Sequence, residues 1–381
     1  MASIGVVSIH DLNNVGNRLQ SAALSTALAG LGHTPVAIPN TPYRYGPGRD
    51  APGPESIAAT ARRLAGERDW WGLVDKAGRA AVMRARVRAL TRFTGENVRV
   101  DPRWVTAPGD GEELVDDYDA FVTGSDQVWN PTYRFGCPTD FLDFAPPGRR
   151  VAYAASFGVS ELPARYVPHY REMLSGLDHV SVREHSGAAL VRDLVGREVP
   201  VVLDPTMLVP VAHWSRLADR APRPSPSPFL ATYLLWTGDR ATQCAVHSLA
   251  RSRRLRARQL LAPGLHRPGY YGAENFLRTL RDAEVVVTDS FHSTLFALLF
   301  GTPVRVLSRG PGQDDRIESL LGLFHVDPAE AFGSADDPPA APLVADPEAA
   351  LAPHRERSLA WLADAIDAAA SGRARGNENG T

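Results

Sequence analysis

Short β-branched runs alternate along this chain with segments whose apolar residues recur at helical spacing. Ile4 to Ile9 is the first run, followed by the polar turn His10-Asp11-Leu12-Asn13-Asn14-Val15-Gly16-Asn17. Arg18 to Leu31 then places Leu19, Ala22, Ala23, Leu24, Ala27 and Leu28 on one helical face. Gly32 stops that helix and Thr34 to Ile38 reads as a second strand. The natural product of such a βαβ opening is a parallel sheet. Residues 40–57 are rich in Pro, Gly and Tyr without a period and read as a loop, and 56–96 read as helical.

The alternation continues. Phe121-Val122-Thr123 is a strand entering the turn Gly124-Ser125-Asp126-Gln127-Val128-Trp129-Asn130-Pro131; Arg150 to Ser156 is a strand, 163–175 a helix, and Val199 to Leu203 a strand ending at Asp204-Pro205. The Pro/Ser-rich stretch 220–228 reads as a linker or exposed loop. Alternation then restarts. Strands are expected at Phe229–Trp236, Arg256–Leu261, Val285–Val287 and Val304–Leu307, with helices at 240–252, Asn275–Arg281 and Ser293–Phe300. A terminal helix is expected over Arg357 to Ala370.

The pattern predicts an α/β protein with two Rossmann-like domains facing a cleft. The first spans 1–210 with a helical and loop insertion at about 40–110, and the second spans 211–345. A helix within 352–371 is expected to pack back on the first. Ligands of such sheets bind beyond the carboxyl ends of the strands, which directs attention to the turns.

Composition narrows the class. The chain has 381 residues, 44% hydrophobic and 22% charged, with a formal net charge of −2. That balance gives no reason to expect nucleic acid as a partner. Two cysteines, Cys137 and Cys244, exclude a disulfide framework and a cysteine-rich zinc module, and point to a cytoplasmic location. No run of about 18 apolar residues is present, so no membrane span is expected. The histidines show no metal-ligand spacing, and no metal is expected. GxGxxG, Walker and GxSxG signatures are absent. Oligomeric state leaves no trace in the pattern.

Thr288-Asp289-Ser290-Phe291-His292-Ser293-Thr294 joins a strand to a helix. The N–H groups and dipole of a helix N-terminus favour an anion. His292 at that mouth could donate a proton to substrate; alternatively Ser290 and Ser293 merely cap the helix and His292 packs at its end. Arg183 lies at another strand end, where a guanidinium can grip phosphate or carboxylate bidentately or pair with Glu184. Asn14, Asn17 and their neighbours form an amide-rich first turn, and Gly16 allows close backbone approach. Asp126 could orient a hydroxyl or act as a base; the other reading has it cap the turn beside Trp129. Asp204-Pro205-Thr206 reads as a structural turn.

Taken together, Gly124-Ser125-Asp126-Gln127-Val128-Trp129-Asn130-Pro131, Phe141-Leu142-Asp143-Phe144, Ala152-Tyr153-Ala154-Ala155-Ser156-Phe157-Gly158, Val182-Arg183-Glu184, Leu203-Asp204-Pro205-Thr206 and Thr288–Thr294 occur in an order that resembles the polysaccharide pyruvyltransferase family. The resemblance extends over nearly the whole chain and implies a GT-B-like pair of domains, the first on the acceptor side and the second holding the donor phosphate. It implies an enzyme that uses phosphoenolpyruvate as co-substrate, without an organic cofactor. Such an enzyme places a pyruvate ketal, or an enolpyruvyl ether, on hydroxyls of a sugar, glycan precursor or other metabolite and releases phosphate. By the same resemblance His292 and Asp126 are catalytic candidates. Arg183, Ser290, Phe291, Ser293 and Arg267 are candidates for the donor phosphate, and Asn14, Asn17, Ser125, Gln127 and Trp129 for the acceptor side. One branch of the family carries Arg where this chain has Ser290, which leaves the phosphate clamp one guanidinium short. The alternatives are a nucleotide-sugar glycosyltransferase of the same fold and a non-catalytic member that binds a glycan or metabolite. Against the first, the helix Thr294–Phe300 carries no acid to hold a ribose.

Overall fold

A computed structural model describes residues 1–11, 14–40, 70–105, 109–223, 227–260, 272–310 and 314–378. The first sheet is built from β1 (Ser3–Ile9), β2 (Thr34–Asn40), β3 (Ala120–Gly124), β4 (Arg150–Ala155) and β5 (His179–Val182) in the order β2-β1-β3-β4-β5, every pair parallel. Its helices are α1 (Val15–Gly30), α2 (Trp70–Asn97), α3 (Val167–Ser175) and α4 (His185–Val195). Two helices, α5 (Pro205–Leu208) and α6 (Val211–Asp219), lead to the second sheet. That sheet has β6 (Phe229–Tyr233), β7 (Arg256–Gln259), β8 (Val285–Thr288) and β9 (Val304–Val306) in the order β7-β6-β8-β9, again all parallel. Around it lie α7 (Arg240–Ser252), α8 (Ala273–Arg281), α9 (Phe291–Phe300), α10 (Asp315–Leu323), α11 (Pro328–Ala331) and the terminal α12 (Pro347–Glu378). The result is two Rossmann-like α/β units facing a cleft, the GT-B-like arrangement.

Local signals set the helix ends that matter. Asn14 caps α1, its side-chain oxygen accepting from the Asn17 N–H at 3.2 Å, so the helix starts at Val15 rather than Arg18. Gly301, at φ 65°, closes α9 in the left-handed conformation that favours glycine. One apolar core runs through both units, from Ile4 and Leu19 through Phe276 and Phe296 to Leu362 and Ile366. Helix α12 packs against β3 and β4 of the first sheet, and Leu203 N–H donates to Ser358 Oγ on that helix at 3.1 Å.

Other expected boundaries move as well. Val199–Leu203 is not a strand: only Val201 bridges β5, through Val182, before Leu203 turns to α12 and Asp204 caps α5. Strand β6 stops at Tyr233 because the N–H groups of Leu235, Trp236 and Thr237 donate to the Asp289 carboxylate instead of to a neighbouring strand. Helix α9 begins at Phe291, which puts His292 inside its first turn. Most of the loop expected at 40–57 and the start of the 56–96 helix lie outside the described residues, as does part of the 220–228 stretch.

Candidate active site

Strand order changes direction once in each sheet, between β1 and β3 in the first and between β6 and β8 in the second. Loops leaving such a point diverge and open a crevice at the carboxyl ends of the strands. Here the two crevices meet. The turns after β1, β3, β6 and β8 all line one cavity of about 570 Å³. Asn14, Gly16, Asp126 and Gln127 enter it from the first unit, and Leu235, Trp236, Ser290 and His292 from the second.

His292 stands on the cavity wall in the first turn of α9. Its Nδ1 abuts Gly16 so closely that a Cβ at that position would lie 2.3 Å away. Gly16 is therefore required by the neighbouring ring. On the other side, Nε2 is buried without a hydrogen-bond partner and lies 4.0 Å from Asp204 Oδ2. Burial pushes the imidazole below its ordinary pKa, against the pull of Asp204 and Asp126, so the resting ring is neutral at pH 7. Ser290 occupies the cap position of α9, but its side chain makes no capping bond. Its backbone N–H donates to Thr288 Oγ1, and its carbonyl accepts from the Thr294 N–H.

Behind His292 lies a buried ionic cluster. Asp204 Oδ2 accepts from Arg183 Nη1 at 2.7 Å and from Ser125 Oγ at 3.0 Å, while Oδ1 accepts from the Thr206 N–H and hydroxyl. Burial pushes this carboxyl up, yet Arg183 and His292 hold it below the usual carboxylate range. Arg183 also covers the Phe291 ring at 4.6 Å, and its Nε and Nη2 have no hydrogen-bond partner. It lines a smaller cavity of about 210 Å³ on the α12 side, not the main one.

Asp126 takes φ 59°, a left-handed conformation that aspartate tolerates better than most residues. The turn aims its carboxylate across the first crevice. Oδ2 accepts from Asn17 Nδ2 at 3.1 Å, and Oδ1 accepts from the Gln127 N–H. Asn17 is held in turn by Arg18, whose guanidinium also donates to His10 Nδ1 at 2.8 Å. Burial, with Arg18 beside it, pushes His10 down to about 4, leaving it a neutral acceptor. Gly124, before this turn, has φ 103°, and a Cβ there would meet the Tyr153 carbonyl oxygen at 2.3 Å.

The expected site residues therefore divide. Asn14, Asp126, Gln127, Ser290, Phe291 and His292 line the cavity. Trp129 does not reach it, in correction of its expected acceptor-side position. Its ring is fully buried, stacked on Phe141 at 5.4 Å, with Nε1 donating to the Asp140 carbonyl. A large ring gains more from complete burial than from a wet cleft. Ser125 and Asn17 are corrected likewise: both are buried and face inward, one on Asp204 and the other on Asp126. Ser293 is buried with an unpartnered hydroxyl, outside the cavity wall. Arg183 sits behind Phe291, as described. Arg267 lies outside the described residues.

Several residues of the wall escaped the sequence reading. Arg134 enters it while held by Asp140, through Nε to Oδ2 and Nη2 to Oδ1, both at 2.7 Å. Tyr133, Leu235 and Trp236 form an exposed apolar rim, with the Arg309 guanidinium 4.9 Å over the Trp236 ring. Arg316, second residue of α10, completes the cationic side. The cue for Trp236 is its place as a large aromatic at the carboxyl end of an expected strand, where ligands bind. Arg316 offered none, because an arginine in a helix reads as a solvated face.

Among the described residues, no group of three or more His, Cys, Asp or Glu could hold a metal ion, and no helix is long and apolar enough to cross a membrane.

Solved structures of similar shape are distant in sequence. A UDP-GlcNAc 2-epimerase from Methanocaldococcus jannaschii is 10% identical, with 94% of this chain and 92% of that chain covered and a TM-score of 0.47. The Neisseria meningitidis UDP-GlcNAc 2-epimerase bound to UDP-GlcNAc is 9% identical over 97% and 94%, at 0.46. The E. coli ADP-heptose LPS heptosyltransferase II is 12% identical over 94% and 98%, at 0.34. Among curated proteins no similar sequence is found. The sequence model of the family described as polysaccharide pyruvyl transferase matches residues 14–311, which takes in every strand except β1 and the turns after β3, β6 and β8, and the chain belongs to that family.

Proposed function

We propose that this protein transfers the pyruvyl group of phosphoenolpyruvate to hydroxyls of a sugar or glycan-precursor acceptor, forming a ketal and releasing phosphate. The observation that carries the reading, beside family membership, is the sidedness of the cavity. The second unit contributes His292, Ser290, Arg309 and Arg316 to the lining, and the first contributes Asn14, Asp126, Gln127 and Arg134, whose charge is already held by Asp140. A small phosphorylated anion suits the second unit's side, and a polyhydroxylated acceptor the first unit's.

In the proposed reaction, His292 protonates the methylene carbon of the donor, and the electron pair of the double bond forms the new C–H bond. An oxocarbenium-like centre develops at C2. An acceptor hydroxyl attacks it while Asp126 takes the hydroxyl proton. A second hydroxyl of the same acceptor then displaces phosphate and closes the ketal, its proton passing to the neutral His292 imidazole, which restores the acid. The neutral resting imidazole must gain a proton first. A bound phosphate dianion favours the imidazolium, and Asp204, 4.0 Å from Nε2, is placed to stabilise it. Preorganised charge at C2 and the phosphate supplies much of the rate.

The test is calorimetric titration with phosphoenolpyruvate beside UDP- and GDP-sugars, followed by phosphate release and product mass with a panel of sugar diols. Saturable phosphoenolpyruvate binding and a pyruvylated product are expected. Binding of a nucleotide sugar alone would overturn the reading in favour of glycosyl transfer.

Gly16 supplies a second prediction. In Gly16→Ala the new methyl would lie 2.3 Å from His292 Nδ1, so the ring must move. A displacement of that kind costs about 100-fold in turnover. Steady-state phosphate release checks it, and a rate within twofold of the parent would show that the ring position is not critical.

A further inference from the structure

We infer that Arg316, working with Arg309, is the cation that holds the phosphate group of the donor, an inference that rests on the function proposed above. Arg316 leaves the first turn of α10, and its half-buried side chain reaches the cavity wall that also carries Ser290 and His292. It makes no hydrogen bond or ion pair with any described residue. Buried or half-buried guanidinium groups ordinarily have such a partner. Elsewhere in this protein Arg134 has Asp140 and Arg183 has Asp204.

The surroundings deepen the anomaly. The charged groups that act on Arg316 are Arg183 and Arg309, which repel it, and Glu184 and Asp126, which attract it. Glu184 is engaged by the Phe157 N–H and Arg183, and Asp126 by Asn17 and Gln127. Burial and the repulsion of Arg183 push Arg316 down to about 10, still fully protonated at neutral pH. A permanent cation thus projects into a cavity beside like charges, with no acid of its own. A phosphate dianion supplies the missing counter-charge. The uncapped N-terminus of α9 and the Ser290 hydroxyl complete a cradle for its oxygens. A guanidinium offers two parallel donors to such a group, which an ammonium cannot match.

The experiment uses the full chain and its Arg316→Gln and Arg316→Lys variants, titrated with phosphoenolpyruvate and, separately, with inorganic phosphate. Arg192→Gln, an exposed site on α4, controls for loss of bulk charge. Loss of a charge-assisted contact is expected to weaken both ligands roughly 10- to 150-fold in Arg316→Gln. Arg316→Lys should recover part of this, and Arg192→Gln should show none of the loss. Thermal melting separates a structural role. Removing an unpaired cation beside two like charges should leave the melting temperature of the free protein unchanged or higher, and abolish its rise with phosphate. Unchanged affinity in Arg316→Gln, an equal loss in Arg192→Gln, or a lower melting temperature without ligand would overturn the inference. Phosphate binding that depends on Arg316, without any phosphoenolpyruvate binding, would keep the anion site and remove the proposed donor. If the parent binds neither, both fall.

Discussion

Replacing His292 by glutamine is expected to lower turnover by roughly 100- to 10,000-fold, the usual contribution of a positioned general acid. Stability should change little. The ring makes no hydrogen bond through Nε2, its pKa is already depressed by burial, and glutamine has similar bulk. Phosphoenolpyruvate should still bind, because the cationic wall is intact. The parent should take up protons on binding the donor at neutral pH, as the phosphate raises the depressed imidazole pKa through the working range. The variant should not. Titration in buffers of different ionisation enthalpy reads that uptake, alongside initial rates of phosphate release. A variant that keeps the parent rate would remove His292 from the chemistry.

The second large effect is on stability. Asp140→Ala removes the carboxylate that accepts from Arg134 Nε and Nη2, both atoms of a buried guanidinium. Breaking one side of a buried pair costs about 3–5 kcal/mol, because the remaining charge loses its closest counter-charge where water cannot replace it. Asn40 loses its acceptor as well. The damage is also local to the cleft, since Gln127, Thr132, Tyr133 and Arg134 all line it from this segment. Urea unfolding of Asp140→Ala beside Arg134→Met and the double variant measures the coupling. The double variant should be less destabilised than the two single losses added together. A loss below about 1 kcal/mol in Asp140→Ala would show that water replaces the missing carboxylate.

The position of the cleft was largely legible from local pattern. The segments Ile4–Leu28 and Val285–Phe300 each show a β-branched run, a polar turn and a helical period, and Phe121–Gln127 shows the run and the turn. All three place their turns at the cavity. Asp204 reads from the sequence as a structural turn. In the structure it caps α5, accepting from the Thr206 N–H at 3.0 Å. The second carboxylate oxygen binds Ser125, 79 positions away, and Arg183, 21 positions away, and no local rule reports such partners. Asp289 is similar: it looks like part of the His292 turn, yet its carboxylate shapes the 235–237 loop that carries Trp236 to the rim.

By itself, then, the sequence determined the two parallel α/β units, their order and the turns from which a site could be built. Those features follow from side-chain period and turn chemistry over a few neighbouring residues. Only the tertiary structure decided which polar groups in each turn face the cleft. Trp129 and Ser125 turn into the core while Asp126 and Gln127, between them in the chain, turn outward. A buried polar group settles where distant segments close its hydrogen bonds, and a group that none of them satisfies, such as Arg316, is left facing the cavity.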